Sequence, residues 1–206
     1  MVPEPLAPAD RDELHRALRQ ISPLGDDDLA AVEDCTRLRS LARSAVFLRA
    51  GDRAVSCGVL LSGLVRVYFL LGDGREVTRG FTRPGEPVGS LSDLLLDEPA
   101  RSCVDAVTDA RVAEMPWAHV RECAARMPAW TSLLARITEQ LYLIKAAREY
   151  ELLALDAEAR YLVFRARYAG FEPKIPLRQV ASYIGVTPEH LSRLRRRLAG
   201  PAAASR

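Results

Sequence analysis

The sequence predicts an α+β fold in three parts. These are an N-terminal β-barrel domain of jelly-roll type (residues 1–127), a long helix (128–155) and a C-terminal helix-turn-helix domain (156–206). Three observations carry that expectation. Short β-type runs separated by glycine-rich turns fill the stretch from Ala45 to Met115. After Pro128 the runs stop and apolar residues recur three and four apart. Finally, Leu177 to Leu198 has the spacing of two short helices around a glycine. With 206 residues the chain has room for two domains, and 49% hydrophobic composition is enough for a buried core.

In chain order, Asp10 is placed to cap a helix carrying Leu14, Leu18 and Ile21. Asp26 to Asp28 open a second helix carrying Leu29, Val32 and Leu38. Strands are expected at Val46-Phe47-Leu48, Val59-Leu60-Leu61, Val65 to Phe69 and Arg111-Val112-Ala113. Between them lie the turn signals Gly51-Asp52, Ser62-Gly63, Gly72-Asp73-Gly74 and Pro84-Gly85. Strands this short and evenly spaced make a sandwich or barrel. Leu134, Ile137, Leu141 and Ile144 then form a seam over two heptads of one long helix. Such a seam either packs on the β-domain or pairs with a second copy, and its position between two domains predicts a homodimer interface. Leu155-Asp156 reads as a hinge, with Asp156 capping a helix through Tyr161, Leu162 and Phe164 that Gly170 and Pro173 end.

In the last segment Val180, Ala181 and Ile184 give a short helix one apolar face. Gly185 stands at the sharp turn, Thr187 is a cap, and Pro188 suits the first helical position because no amide hydrogen is needed there. Leu191, Leu194 and Leu198 face the first helix, leaving Glu189, His190, Ser192, Arg193, Arg195, Arg196 and Arg197 around the outside. Polar donors at the N-terminal end can meet base edges, and the arginines behind can hold phosphates. A solvated basic face on a structural helix is the plainer alternative. Charge favours the first reading: from Lys174 onward seven cations face Glu189 alone, giving +6 there and −4 for the remainder of a chain whose total is +2.

Other classes are disfavoured. No run approaches the roughly 20 apolar residues of a membrane span, and no secretory signal opens the chain, so a cytoplasmic protein is expected. Cys35, Cys57, Cys103 and Cys123 are scattered without the clustering of a zinc or iron–sulfur site, and no iron–sulfur cluster is expected. A metal-binding barrel enzyme needs clustered histidines and carboxylates, but only His119 lies near the strands, so no enzyme is expected.

Helices, barrel, long helix and helix-turn-helix, in that order, resemble the Crp/Fnr family of transcription regulators over roughly residues 10–198. The specific signatures are the turn glycines Gly51, Gly63 and Gly85, the hinge Leu155-Asp156-Ala157-Glu158-Ala159-Arg160, and Gly185-Val186-Thr187-Pro188-Glu189-His190-Leu191-Ser192-Arg193. The resemblance implies a cyclic-nucleotide-binding-like barrel and a homodimer on palindromic double-stranded DNA. It implies RNA polymerase as a further partner, and Glu189, Ser192 and Arg193 as base readers. Arginine grips the two acceptors of guanine and glutamate accepts from cytosine. Recognition helices in successive major grooves would lie about 34 Å apart. Two departures stand out: Pro188 replaces an arginine of the activator branch, and little sequence follows Leu198 for a β-hairpin wing. The competing class is an effector-binding or protein-interaction module without sequence-specific DNA binding.

The resemblance also places an effector cassette from Val88 to Ser102, in which Gly89, Ser90, Arg101 and Ser102 would hold a cyclic phosphate. An arginine and helix amides do favour an anion. The cassette departs from a cyclic AMP pocket, however. Ser90 stands where a glutamate would hold the ribose, and Lys145 and Ala146 stand where serine and threonine would meet adenine. Cyclic AMP is therefore disfavoured, another small anionic ligand or none stays open, and Arg101 has the alternative of a structural ion pair.

Overall fold

A computed structural model describes residues 4–199. Strand β1 (Glu4–Pro5) and helices α1 (Pro8–Ile21) and α2 (Asp26–Glu33) lead into β2 (Arg37–Leu41), β3 (Val46–Leu48), β4 (Ser56–Ser62), β5 (Val65–Leu70), β6 (Glu76–Thr82) and β7 (Pro87–Val88). The short helix α3 (Leu91–Leu96) precedes β8 (Cys103–Ala106) and β9 (Ala110–Pro116). Five helices follow: α4 (Trp117–Arg126), α5 (Pro128–Ala154), α6 (Ala157–Arg167), α7 (Leu177–Ile184) and α8 (Pro188–Ala199).

The strands form two antiparallel sheets, in the orders β1-β2-β9-β4-β7 and β3-β8-β5-β6. They pack as an open two-sheet sandwich, the jelly-roll type expected, in which each sheet ends in two edge strands and no ring of backbone hydrogen bonds closes among the described residues. Alternation along the strands decides which core each residue joins. Leu60 and Val112 point between the sheets, with Phe47, Val65 and Val104 from the facing one. Their neighbours Val59, Leu61, Ala113 and Met115 point outward onto Leu14, Leu18, Leu29, Trp117, Trp130 and Leu133 of the helices. Gly63 turns between β4 and β5 with φ +91°, where a side chain would also run into the Asp109 carbonyl and Ala110.

Several local expectations change. Helix α1 begins at Pro8, and Asp10 is a buried residue of its first turn that pairs with Arg111 of β9 instead of capping. The pair ties helix to sheet and sets a positive charge against a buried carboxylate. Leu38 belongs to β2, not to α2. The seam on α5 divides: Leu134 and Ile137 pack on the helix–sheet core of their own chain, Leu141 is half-buried, and Ile144 is 54% exposed. No described helix is long and apolar enough to cross a membrane. The residues after Ala199, on which the expectation about a wing falls, lie outside those described.

Candidate nucleic-acid interface

Asp156 caps α6 by accepting from the Ala159 amide at 2.8 Å, immediately after α5 ends at Ala154. Arg160 holds this junction, donating to the Leu155 carbonyl at 2.6 Å and to the Ile184 carbonyl at 2.7 Å. At the turn between α7 and α8, Gly185 adopts φ 74°, and the Val186 amide closes back on the Ala181 carbonyl at 3.0 Å. Thr187 then caps α8, its hydroxyl accepting from the His190 amide at 3.2 Å. Leu191 and Leu194 are buried against Val180, Ala181 and Ile184, which sets α8 as the outer helix of the pair.

On its outward side Glu189, His190, Arg193 and Arg196 are exposed, and Ser192 is half-buried. Arg193 and Arg196 make no ion pair within 4 Å among the described residues. Glu189 is ionised: its own backbone amide, the Thr187 hydroxyl and the positive charge of Arg193 hold its carboxyl below the ordinary range. Two arginines grouped with these by sequence sit differently. Arg195 lies on the flank of the buried face, donating to the Tyr161 hydroxyl at 2.9 Å and to Glu172 at 3.0 Å. Arg197 pairs with Glu158 of α6. Both hold α8 onto α6 and the turn after it, which sets them apart from Arg193 and Arg196.

The helix-turn-helix unit is docked on the edge of the second sheet. The Ser182 hydroxyl of α7 accepts from the Thr78 amide at 2.8 Å and donates to the Glu76 carbonyl at 3.0 Å, so it takes the place of a neighbouring strand along β6. Phe81 of β6 packs among Phe164, Tyr168 and Tyr183, with ring centroids 5.4–6.2 Å away. Arg83 donates to the Arg167 carbonyl at 2.8 Å. Behind this contact Glu151 of α5, nearly fully buried, receives both Arg148 and Arg167, and Arg148 also lies 4.0 Å over the Tyr183 ring. Apart from Phe164, none of these docking residues was singled out by sequence, because the contacts between the units join residues 16 to 106 positions apart and carry no local pattern.

At the cassette the geometry is closed. Gly89 has φ +130°, Ser90 is buried, and Ser102 is 1% exposed with a hydroxyl that has no hydrogen-bond partner among the described residues. Arg101 is directed onto Asp93 of α3, Nε to Oδ1 3.1 Å, which realises its alternative as a structural ion pair. The Ser90 hydroxyl also donates to Asp93, at 2.6 Å. The Ser90 hydroxyl and the backbone amide and Nε of Arg101 are thus held by a carboxylate of the chain itself, and a buried negative charge at that place does not fit a cyclic phosphate.

The four cysteines are free, with Cys103 and Cys123 buried. Burial pushes the Cys57 thiol up to about 12, so it stays protonated at neutral pH.

The family model described as the cyclic nucleotide-binding domain matches residues 38–127, from β2 to the end of α4. Over 171 residues the chain is 28% identical to an anaerobic regulatory protein of Aggregatibacter actinomycetemcomitans, covering 77% of this chain and 65% of that protein. It is 26% identical over 171 residues to a fumarate and nitrate reduction regulatory protein of Yersinia pestis, covering 77% and 67% respectively. The chain thus spans just under two thirds of the length of the anaerobic regulatory protein. Among solved structures, FixK2 of Bradyrhizobium japonicum superposes with TM-score 0.69 at 22% identity, covering 80% of this chain and 84% of FixK2. The c-di-GMP-responsive regulator CLP of Xanthomonas campestris superposes with TM-score 0.69 at 19% identity, covering 86% and 93%. A two-sheet sandwich, a long connecting helix and a terminal helix-turn-helix are the arrangement in which the chain, with its cyclic nucleotide-binding domain, is similar to these regulators and to others of the Crp/Fnr family.

Proposed function

We propose that the chain is a homodimeric transcription regulator that reads a palindromic DNA site in the major groove. The observation that carries this reading is the outer face of α8, where Glu189, Arg193 and Arg196 are exposed beside a helix start capped by Thr187. In this reading Arg193 grips a guanine, Glu189 accepts from a cytosine, Ser192 and His190 supply further donors, and Arg196 meets phosphate. Arg195 and Arg197 act one step back, by fixing the angle of α8. RNA polymerase is the downstream partner that such a regulator implies.

The dimer surface in this proposal moves from the predicted seam to another face of α5. Tyr142, Leu143, Tyr150 and Leu153 are 69%, 64%, 62% and 80% exposed. At 3.6 residues per turn Tyr142 and Leu153 lie almost in line, three turns apart, with Leu143 and Tyr150 beside them. A solvent-facing stripe of this size on one helix suits a second copy, because identical helices can cross along it.

Selection of bound sequences from random DNA, with sedimentation of the free protein, tests both parts. A two-fold-symmetric motif and a dimer are expected. Salt-sensitive binding without any motif would reduce α8 to a general DNA contact, and a monomer both free and on DNA would remove the stripe from the reading.

A further inference from the structure

Asp93 lies in the first turn of α3 and is only 2% exposed, yet it is the point on which the polar groups of the cassette converge. Its Oδ2 receives the Ser90 hydroxyl at 2.6 Å and the Arg101 backbone amide at 3.0 Å, while its Oδ1 receives the Arg101 guanidinium at 3.1 Å. A hydroxyl, an amide and a guanidinium are the donors that an external phosphate oxygen would require. Here all three are directed inward, although the Arg101 side chain itself is 62% exposed. Burial alone would raise the Asp93 carboxyl, but the three donors and the charge of Arg101 outweigh it and hold the group below the usual range, so it is ionised at neutral pH. A second cation answers to the same charge. Arg79 of β6 is half-buried and makes no ion pair within 4 Å among the described residues; burial lowers its guanidinium, and the charge of Asp93 opposes that shift.

We propose that Asp93 is a built-in anion that stands in the place of an effector: its carboxylate occupies the Ser90 hydroxyl and the backbone amide and Nε of Arg101, and its buried charge excludes cyclic nucleotides. An incoming phosphate would have to displace a buried carboxylate from three hydrogen bonds and then remain beside its negative charge. The state of the sensor domain is therefore set by the chain itself. This rests on residues 88–102 being the effector cassette and not on any role of α8.

Isothermal titration of the full chain with cyclic AMP, and separately with inorganic phosphate, tests the proposal. Wild-type protein is expected to show no saturable binding up to millimolar ligand. Asp93→Ala opens the space and frees the donors, so affinity for at least one of the two probes should rise at least about tenfold. Adding Arg101→Ala to that variant should abolish the gain. Asp93→Asn, which removes charge but keeps shape, should gain less than Asp93→Ala. A folded Asp93→Ala protein with no gain for either probe overturns the proposal. Should Asp93→Ala fail to fold, wild type and Arg101→Ala decide: saturable cyclic AMP binding by wild type that Arg101→Ala removes overturns it, and no binding by either supports it. Because no DNA is present, the titration stands or falls separately from the reading of α8.

Discussion

Arg193 of α8 and Arg101 beside α3 are both exposed guanidiniums, but the chain supplies a buried carboxylate to only one of them. Arg101 is held by Asp93, whereas Arg193 has only the solvent-facing Glu189 one turn away. An arginine with no internal counter-charge keeps its hydrogen-bond donors for an anion from outside. One that is held by a buried carboxylate has its strongest geometry already formed, and an external anion must compete with it. The family likeness points to an anion at both places. The side chains favour it at α8 and oppose it at the cassette.

Substitutions at arginines and their partners can break that contrast. The largest effect is expected from Glu151→Ala, which leaves Arg148 and Arg167 without their shared buried partner. Equilibrium denaturation should show a loss of about 3–5 kcal/mol, and the docking of the helix-turn-helix on β6 should weaken with it. A loss below about 1 kcal/mol would mean that water solvates the two guanidiniums as well as Glu151 does. Next in size, Arg193→Ala should leave thermal stability unchanged and cost about 1–3 kcal/mol of DNA affinity at a single base position. Equal loss on every sequence would assign Arg193 to phosphate contact instead. Arg195→Ala should do the reverse. Its bonds to Tyr161 and Glu172 are partly screened by solvent, so stability should fall by about 1 kcal/mol or less, with the preferred DNA motif unaltered.

The smallest effect is the acid limb of stability. The Asp93 carboxyl is depressed in the folded chain, so its contribution is fully present above the unfolded value of about 3.8 and is lost as pH falls below it, toward the folded value. Asp93→Asn should flatten the denaturation midpoint between about pH 5 and 3. An unchanged acid limb would show that the Ser90–Asp93–Arg101 cluster carries no folding energy.

Where the deciding contacts are local, the amino-acid order reveals the structure. Gly185, Thr187, Pro188 and the leucines of α8 lie within one short stretch, so a turn needing positive φ, a cap and an i, i+3, i+4 stripe can be read directly. The hinge at Leu155-Asp156 is equally local. Strands β6 and β8 escaped notice for a related reason. Glu76–Thr82 contains Arg79 and Gly80, and a register shift between Val67 and Tyr68 disturbs its pairing, so no clean alternation appears; Cys103–Ala106 is only four residues long.

Sequence by itself determined the order of the parts, the helix-turn-helix and the set of side chains on α8, because helical period, capping and turn chemistry act within a few residues. Only the tertiary structure decided which face of α5 is covered, which arginines of α8 are free, and that Asp93 closes the cassette. Leu134 and Leu143 are equally apolar in the sequence, and Arg193 and Arg195 equally cationic. They come to differ because α1 and α4 receive the one face of α5, while Glu172 and Tyr161 lie beside Arg195 and, among the described residues, no internal carboxylate lies beside Arg193 within ion-pair distance. Burial and pairing across long chain separations depend on how the folded surfaces meet, and no short-range pattern encodes that.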